Sequence, residues 1–545
     1  APTAYGMQKA FGTGAATNSI VDLDLTDCIL LFGANPTEAH PVTGAKIKQL
    51  FMQGVTSIVV DPVKTSLAKL ATYHLQLRPG TNVALLNMMG HYIVKEGAVK
   101  TDFIKKYTEQ YDTFYKHVMS LDMDELEELT GVSKELVKKA ALAYAGSKSA
   151  MELHGLGVTE HFQGSKTVML LSNLAMMTGN IGRPGVGLNP LRGQNNVQGA
   201  ADMGVQPHQG AGYMDVNDAG VQDYYAKKYG IPSMPEKEGL KIPEMLDAAI
   251  SGKFKALWIM GEDTLMTDPN TMHIRKAMEQ LDLLIVQELF MSATAEMADV
   301  VLPASSYFEK NGTFTNGERR VQRVNKVIEP IGNTKPDGQM IIDMMYRLGY
   351  KQPTGPVYDA EKILEEIAGV IPFMKGITWQ RLGKNGLQWP VLEDGSDTKI
   401  IHQNGAFKRG KGKFHHFDFE ETPELVEHRK KYPFILTTAR QLEHYNAGTM
   451  TRRTDNQELS PMDYLEVNPL DAAEKKIEAD DKVKIFSDRG SVIIPVKLTY
   501  LVKPGVVRTT FHQPEIFINM LTGNVGDEFT LTPEYKVVAV DFEKA

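Results

Sequence analysis

One layout recurs in this chain, and it constrains the fold more than any other feature. Cys28–Phe32 is an apolar run that ends in Gly33-Ala34-Asn35-Pro36. A helix-like stretch follows, then the strand-like Ser57–Val60 ends at Asp61, and His74–Leu77 supplies a further strand. Later, Leu257–Met260 ends in Gly261-Glu262-Asp263, Leu283–Val286 ends at Gln287-Glu288, and Val300–Leu302 follows. Gly33 precedes Asp61 by 28 residues and Gly261 precedes Glu288 by 27; Asp61 to Ala71 and Glu288 to Ala298 are 10 residues each. Short apolar strands alternating with helical segments form parallel sheets, whose ligands bind at the carboxyl ends of the strands. The expected fold class is therefore α/β, with two doubly wound nucleotide-binding units. Glycines also end strands in sheets that bind nothing, and acids often merely cap helices. The repeat alone leaves both readings open.

A second feature is Asn189–Gly204, N-P-L-R-G-Q-N-N-V-Q-G-A-A-D-M-G. It sets one arginine, Arg192, among amide side chains and glycines. Glycine permits close backbone approach to a ligand, amides donate and accept, and a guanidinium fork matches a planar carboxylate. The plain alternative is a glycine-rich surface loop, which the near-absence of bulky side chains argues against.

Composition excludes several classes. With 42% hydrophobic and 23% charged residues the chain is that of an ordinary globular protein. Its formal charge of −8 disfavours nucleic acid and anionic membrane as partners. No apolar run reaches the length of a membrane span, about 18 residues. The one cysteine, Cys28, lies in an apolar strand and reads as an inert core residue. One thiol cannot hold an iron–sulfur cluster.

Residues 100–150 read as amphipathic scaffold helices, and Pro207–Lys241 as a long loop or short helices over the active-site approach. Glu309–Arg323 reads as a solvated loop, or as a cover or docking surface. From Tyr432 short alternating strands (F-I-L-T-T-A-R, K-V-K-I-F-S, S-V-I-I-P-V-K-L, G-V-V-R-T-T-F) predict a C-terminal β-barrel-like domain. Thr81 or Asn82 is expected to cap the helix over Val83–Val94. The expected domains are 1–194 and 195–344 (α/β), 345–430 (connector with short helices) and 431–545 (barrel-like).

The run R-G-Q-N-N (Arg192–Asn196) resembles the corresponding segment of molybdenum- or tungsten-dependent formate dehydrogenase catalytic subunits, of the dimethyl-sulfoxide-reductase superfamily. The likeness extends to F-G-A-N-P-T-E-A-H-P (Phe32–Pro41), G-L-G-V-T-E-H (Gly155–His161), M-T-G-N-I-G-R-P-G-V-G (Met177–Gly187), M-G-E-D (Met260–Asp263) and A-D-V-V-L-P (Ala298–Pro303). It implies two molybdopterin guanine dinucleotides, one held by each α/β domain, with Mo or W. Carried over residue by residue, Asn35, Asp61, Gly80 and Asn82 would serve one cofactor; Asp263, Thr267, Gln287 and Glu288 would serve the other. Gly155, Leu156, Gly157, Glu160 and Gln194 would approach the cofactor between the domains, although relatives often carry glutamine at the Glu160 position. Arg440, His444, His512, Asn524, Tyr535 and Lys536 of the barrel would face pterin or nucleotide.

The resemblance assigns Arg192 to the formate carboxylate in a two-electron oxidation to CO2 or its reverse. It places the metal-ligating selenocysteine or cysteine, and a histidine, directly before a segment like Ala1-Pro2-Thr3-Ala4, so no metal ligand is expected within this chain. A [4Fe–4S] cluster is expected only upstream, and an iron–sulfur electron-transfer subunit as partner. The setting expected is cytoplasmic. Because the metal ligand is not in the sequence, a noncatalytic molybdopterin-binding scaffold or carrier is the alternative.

Overall fold

The computed structural model describes residues 1–545, which divide into two compact units. One comprises Ala1–Gly193, Met266–Met272 and Ile400–Ala545; the other comprises Gln194–Leu265 and His273–Lys399.

In the first unit β1 (Cys28–Phe32), β2 (Thr56–Val60), β3 (Tyr73–Leu75), β4 (Ala150–His154) and β5 (Gly187–Pro190) form one parallel sheet, ordered β3-β2-β1-β4-β5. Side chains alternate across it: Cys28, Leu30 and Phe32 enter one apolar cluster, Ile29 and Leu31 the other. That is why C-I-L-L-F is continuously apolar: helices cover both faces. Each fully buried Leu or Ile contributes about 1.5–3 kcal/mol. Helices Asn82–Lys95, Lys134–Gly146 and Gly164–Met177 supply much of the Cys28 side. The strand order reverses between β1 and β4, which opens a crevice at their carboxyl ends.

In the second unit β6 (Ala256–Met260), β7 (Leu283–Glu288) and β8 (Val300–Pro303) form a parallel sheet ordered β8-β7-β6. The two glycine–acid repeats are equivalent in backbone detail. The Gly33 amide donates to the Val60 carbonyl at 2.8 Å, and the Gly261 amide to that of Gln287 at 2.9 Å. Both glycines are left-handed, with φ of 54° and 64°. Asp61 and Glu288 therefore occupy the same position, one residue beyond the acceptor.

Glu309–Arg323 is not a solvated loop. Residues Gly312–Thr315 (β9) and Arg320–Val324 (β10) pair as a hairpin, and Arg319 in its turn is wholly buried. The Arg319 guanidinium donates to the carbonyls of Trp389, Thr398 and Lys399, the last two at 3.0 Å. Buried carbonyls, rather than solvent, satisfy that charge. Pro207–Lys241 includes an 11-residue helix, Ala219–Tyr229.

Within the first unit the C-terminal strands close a barrel. They are β11 (Phe434–Thr438), β12 (Leu465–Val467), β13 (Lys482–Phe486), β14 (Ser491–Leu498), β15 (Val506–Thr509) and β16 (Val538–Lys544), ordered β11-β15-β12-β14-β13-β16. Closure leaves no unpaired edge, and Leu436, Val483, Ile494, Val507 and Phe542 fill the interior. No helix is long and apolar enough to cross a membrane.

Candidate cofactor and substrate site

The crevice at the β1/β4 reversal is a cleft of about 1030 Å³, open solvent at its mouth included. Every wall belongs to the first unit. Gly33, Ala34 and Asn35 follow β1, Asp61 follows β2, Gly80 and Asn82 lie beyond β3, and Gly155, Leu156 and Gly157 follow β4. The barrel contributes Thr437–Arg440, Arg508 and Lys536. The structure thus brings together the sequence-predicted Asn35, Asp61, Gly80, Asn82, Gly155, Leu156, Gly157, Arg440 and Lys536. Glu160 joins them through an ion pair to Lys536 at 2.8 Å.

Asp61 is buried and accepts the Val63 amide at 2.8 Å. Burial pushes its carboxyl up to about 6, against the opposing pull of Arg508 and Lys536. Asn82 does not cap its helix. The N-cap is Thr81, whose hydroxyl donates to Arg78 O at 2.7 Å, and Asn82 Nδ2 instead donates to Gly157 O at 3.0 Å. Arg508 holds Glu466 at 2.7 Å. Arg440 lies 4.6 Å over the Phe511 ring, and its Nη1 is buried without a partner. Three cations, glycine backbone, one buried acid and two amides suit a phosphate-bearing nucleotide with a hydrogen-bonding base.

Arg192 follows β5, between cleft residues Leu191 and Gly193. Its Nη2 donates to Gly14 O at 3.1 Å, its carbonyl lies 2.7 Å from His40 Nε2, and its Nε is buried without a partner. Next to it, at the end of β4, His154 is buried with Nε2 3.3 Å from Thr3 Oγ1 and Nδ1 unpartnered. Burial, with the Arg192 charge second, pushes His154 down to about 3; burial also lowers His40. Both rings are therefore neutral near pH 7, and the guanidinium is the cation left for a small carboxylate.

The remaining predicted residues lie elsewhere. Thr267, Asn524 and Tyr535 form a separate polar group in the first unit: Tyr535 OH donates to Thr267 O at 2.9 Å, and Asn524 Oδ1 accepts from Asn270 at 3.2 Å. The His444 and His512 rings lie 5.5 Å apart, tilted by 33°, in the loops of the barrel. Asp263, Gln287, Glu288 and Gln194 belong to the second unit. There Asp263 Oδ1 accepts both the amide (3.0 Å) and hydroxyl (2.7 Å) of Thr294. Gln287 Nε2 donates to Asp337 at 2.6 Å while its Oε1 is buried without a partner. Glu288 accepts the Leu289 amide at 2.6 Å, and burial raises its carboxyl. Gln194 is exposed.

Sequence reasoning missed His40, His154, His161 and Arg508. His40 and His161 sit inside motifs that drew attention for other residues. Arg508 is an interruption in an apolar strand, G-V-V-R-T-T-F, and that break was the available signal.

A parallel sheet reversing at a glycine-lined cleft, capped by a cation-bearing barrel, defines a dinucleotide-cofactor protein. Residues 3–346 match the family described as molybdopterin oxidoreductase, and residues 434–539 the molydopterin dinucleotide binding domain. The chain is 42% identical over 99% of its length to the F420-dependent formate dehydrogenase subunit alpha of Methanocaldococcus jannaschii, covering 80% of that protein. It is 36% identical over 99% of its length to formate dehydrogenase H of Escherichia coli, covering 76% of it. Acetylene hydratase from Pelobacter acetylenicus shares the fold, with a TM-score of 0.75 at 18% identity over the whole chain and 81% of that structure. This chain belongs to the molybdopterin oxidoreductase family, an enzyme family.

Proposed function

We propose that the chain is the larger part of a formate dehydrogenase catalytic subunit, oxidising formate to CO2 or running the reverse, with a bis-molybdopterin guanine dinucleotide carrying Mo or W. The observation that carries this reading is Arg192, with its partnerless buried Nε and a main chain tied at the carbonyl to His40. The residues present fit the cofactor: Arg440 Nη1 and His512 Nε2 are buried polar atoms lacking partners, and the cleft offers glycine backbone and a carboxylate. Asn35, Asp61, Gly80, Asn82, Gly155–Gly157 and Lys536 would hold one dinucleotide; Asp263, Gln287 and Glu288 would serve the other. When bound, the group supplies a sulfur-ligated metal that takes up two electrons. Arg192 binds and orients the formate carboxylate, and Gly14 O and His40 hold the arginine in place. Neutral His40 and His154 add no competing charge, so the anion pairs with Arg192 alone. The ligand to the metal, a [4Fe–4S] cluster and a partner subunit that removes electrons complete the reading; the relatives named formate dehydrogenase support it.

The test is formate-dependent reduction of a viologen dye by the metal-loaded enzyme from its native host. Arg192→Gln should lower kcat/KM about 100-fold, the worth of a charge-assisted carboxylate contact. Unchanged turnover would sink the assignment. Metal analysis of the same preparation decides Mo against W.

A further inference from the structure

Two neighbouring imidazoles in the barrel loops are locked in opposite tautomers by their own partners. His444 Nε2 lies 2.8 Å from the Ser460 carbonyl, so it carries the proton. Its Nδ1, 3.1 Å from Thr451 Oγ1, accepts that hydroxyl, which in turn accepts the Tyr445 amide at 3.2 Å. Both nitrogens of His444 are thus spent within the loop.

His512 differs. It is wholly buried, and Nδ1 lies 3.3 Å from Asp463 Oδ1 while Nε2 has no partner. Asp463, also buried, is fully used. Its Oδ2 accepts the amides of His512 and Gln513, each at 2.8 Å, and its Oδ1 accepts the Thr510 hydroxyl as well as the His512 ring. A carboxylate only accepts, so Nδ1 must be the protonated nitrogen and Nε2 a bare lone pair. The Phe511 ring centroid lies 5.1 Å from that of His512 and 4.6 Å from the Arg440 guanidinium, whose Nη1 is a buried donor that also lacks a partner. The bare lone pair on Nε2 calls for a donor, which a ring N–H supplies. Pterin and guanine both carry one at their lactam edge.

We propose that Asp463 is a positioning residue that fixes the Nδ1–H tautomer of His512, so that Nε2 accepts a ring N–H from the lactam edge of the bound cofactor. This rests on reading the unit as a pterin dinucleotide site, but its test does not depend on formate turnover. Loss of turnover in an Arg192 variant, or its absence altogether, leaves the tautomer measurement untouched.

Asp463→Asn makes a signed prediction. The asparagine oxygen must still serve the two backbone amides, which leaves its NH2 facing His512 Nδ1. Nδ1 then becomes the acceptor and the proton moves to Nε2. The experiment is ¹⁵N NMR of the histidine-labelled 545-residue chain, with the His512 signals assigned by their loss in His512→Gln. In the wild type, Nε2 should give the signal of an unprotonated ring nitrogen, and in Asp463→Asn that of a protonated one. Adding GDP to cofactor-free protein should shift the Nε2 signal if the edge is guanine; a shift with the complete cofactor but not with GDP assigns the edge to pterin. Asp463→Asn should also retain about 10-fold less cofactor, counted as guanine released on acid hydrolysis, the usual scale for losing a ligand-orienting partner. A protonated Nε2 in the wild type, an unchanged tautomer in Asp463→Asn, or no shift with either ligand would overturn the proposal. If Asp463→Asn does not fold, the wild-type tautomer and the two ligand additions still decide it.

Discussion

Glu152 gives the sharpest test of the physical reasoning. It lies in the middle of β4, wholly buried, opposite Leu30 of β1. Tyr144 OH donates to its Oε1, and its Oε2 is buried without a partner. Burial pushes the carboxyl from 4.5 up to about 8, against the Tyr144 bond, which pulls it down. Below pH 4.5 the group is protonated in both folded and unfolded chains and costs nothing. Between 4.5 and 8 the unfolded chain sheds a proton that the folded chain keeps, so stability falls by about 1.4 kcal/mol per pH unit. By pH 7 the loss is about 3 kcal/mol, and above 8 it levels off. Glu152→Gln keeps an acceptor for Tyr144 and has nothing to ionise, so its stability relative to wild type should rise by about that amount from pH 4.5 to 7. The chain carries its own probes. Cys28, its only cysteine, is buried in β1 of the same sheet, whereas Trp258, Trp379 and Trp389 all lie in the second unit. Thiol labelling in urea should therefore show the variant's midpoint moving up with pH relative to wild type, while the tryptophan transition stays matched. Parallel pH curves for the two proteins by thiol labelling would refute the argument, because they would mean that Glu152 titrates as an ordinary carboxyl.

The paired glycines separate backbone strain from steric exclusion. A Cβ at Gly33 would lie 2.5 Å from the Gly157 carbonyl carbon, whereas nothing lies within 4 Å of one at Gly261. Gly261→Ala should cost only the left-handed penalty, about 1 kcal/mol by tryptophan fluorescence, and Gly33→Ala about 3 kcal/mol or more by Cys28 labelling. Asp61 should make cofactor retention pH-dependent. Its carboxyl ionises as pH rises through about 6, and a carboxylate accepts ribose hydroxyls or guanine N–H groups better than the acid does. Guanine release should slow across that window in the wild type, and Asp61→Asn should flatten the profile.

Much of the fold was legible because its signals are local. The strand–glycine–acid repeat depends on an apolar run, a left-handed turn and a residue one step past a hydrogen-bond acceptor, all within a few positions. The parallel sheets and the closed barrel follow the expected pattern, and Asp61 and Glu288 fall at equivalent backbone positions. Glu309–Arg323 was misread for a definite reason: its charges suggest solvent, but Arg319 is satisfied by three carbonyls some 70 to 80 residues further along the chain. Hydrogen bonds of that separation leave no periodicity in sequence. Thr81 does stand at the N-cap, with its hydroxyl spent on the Arg78 carbonyl, while Asn82 is drawn away to Gly157, 75 residues on.

Within the site, the distinction between a polar residue that meets a ligand and one that is spent on the protein is set by geometry alone. Arg440, Arg508 and Lys536 look alike in sequence, yet Lys536 is paired to Glu160 and Arg508 to Glu466, while Arg440 is left with a dry, partnerless nitrogen. His444 and His512 are alike in sequence, yet one has both nitrogens bonded internally and the other keeps one without a partner. An unsatisfied buried donor or acceptor costs about 1–3 kcal/mol. Arg440 lines the cleft, and a ligand there that accepts from its Nη1 removes that cost. The arrangement of these unmet groups is thus a stronger pointer to the cofactor than the count of polar residues, and it is the part that a single sequence cannot display.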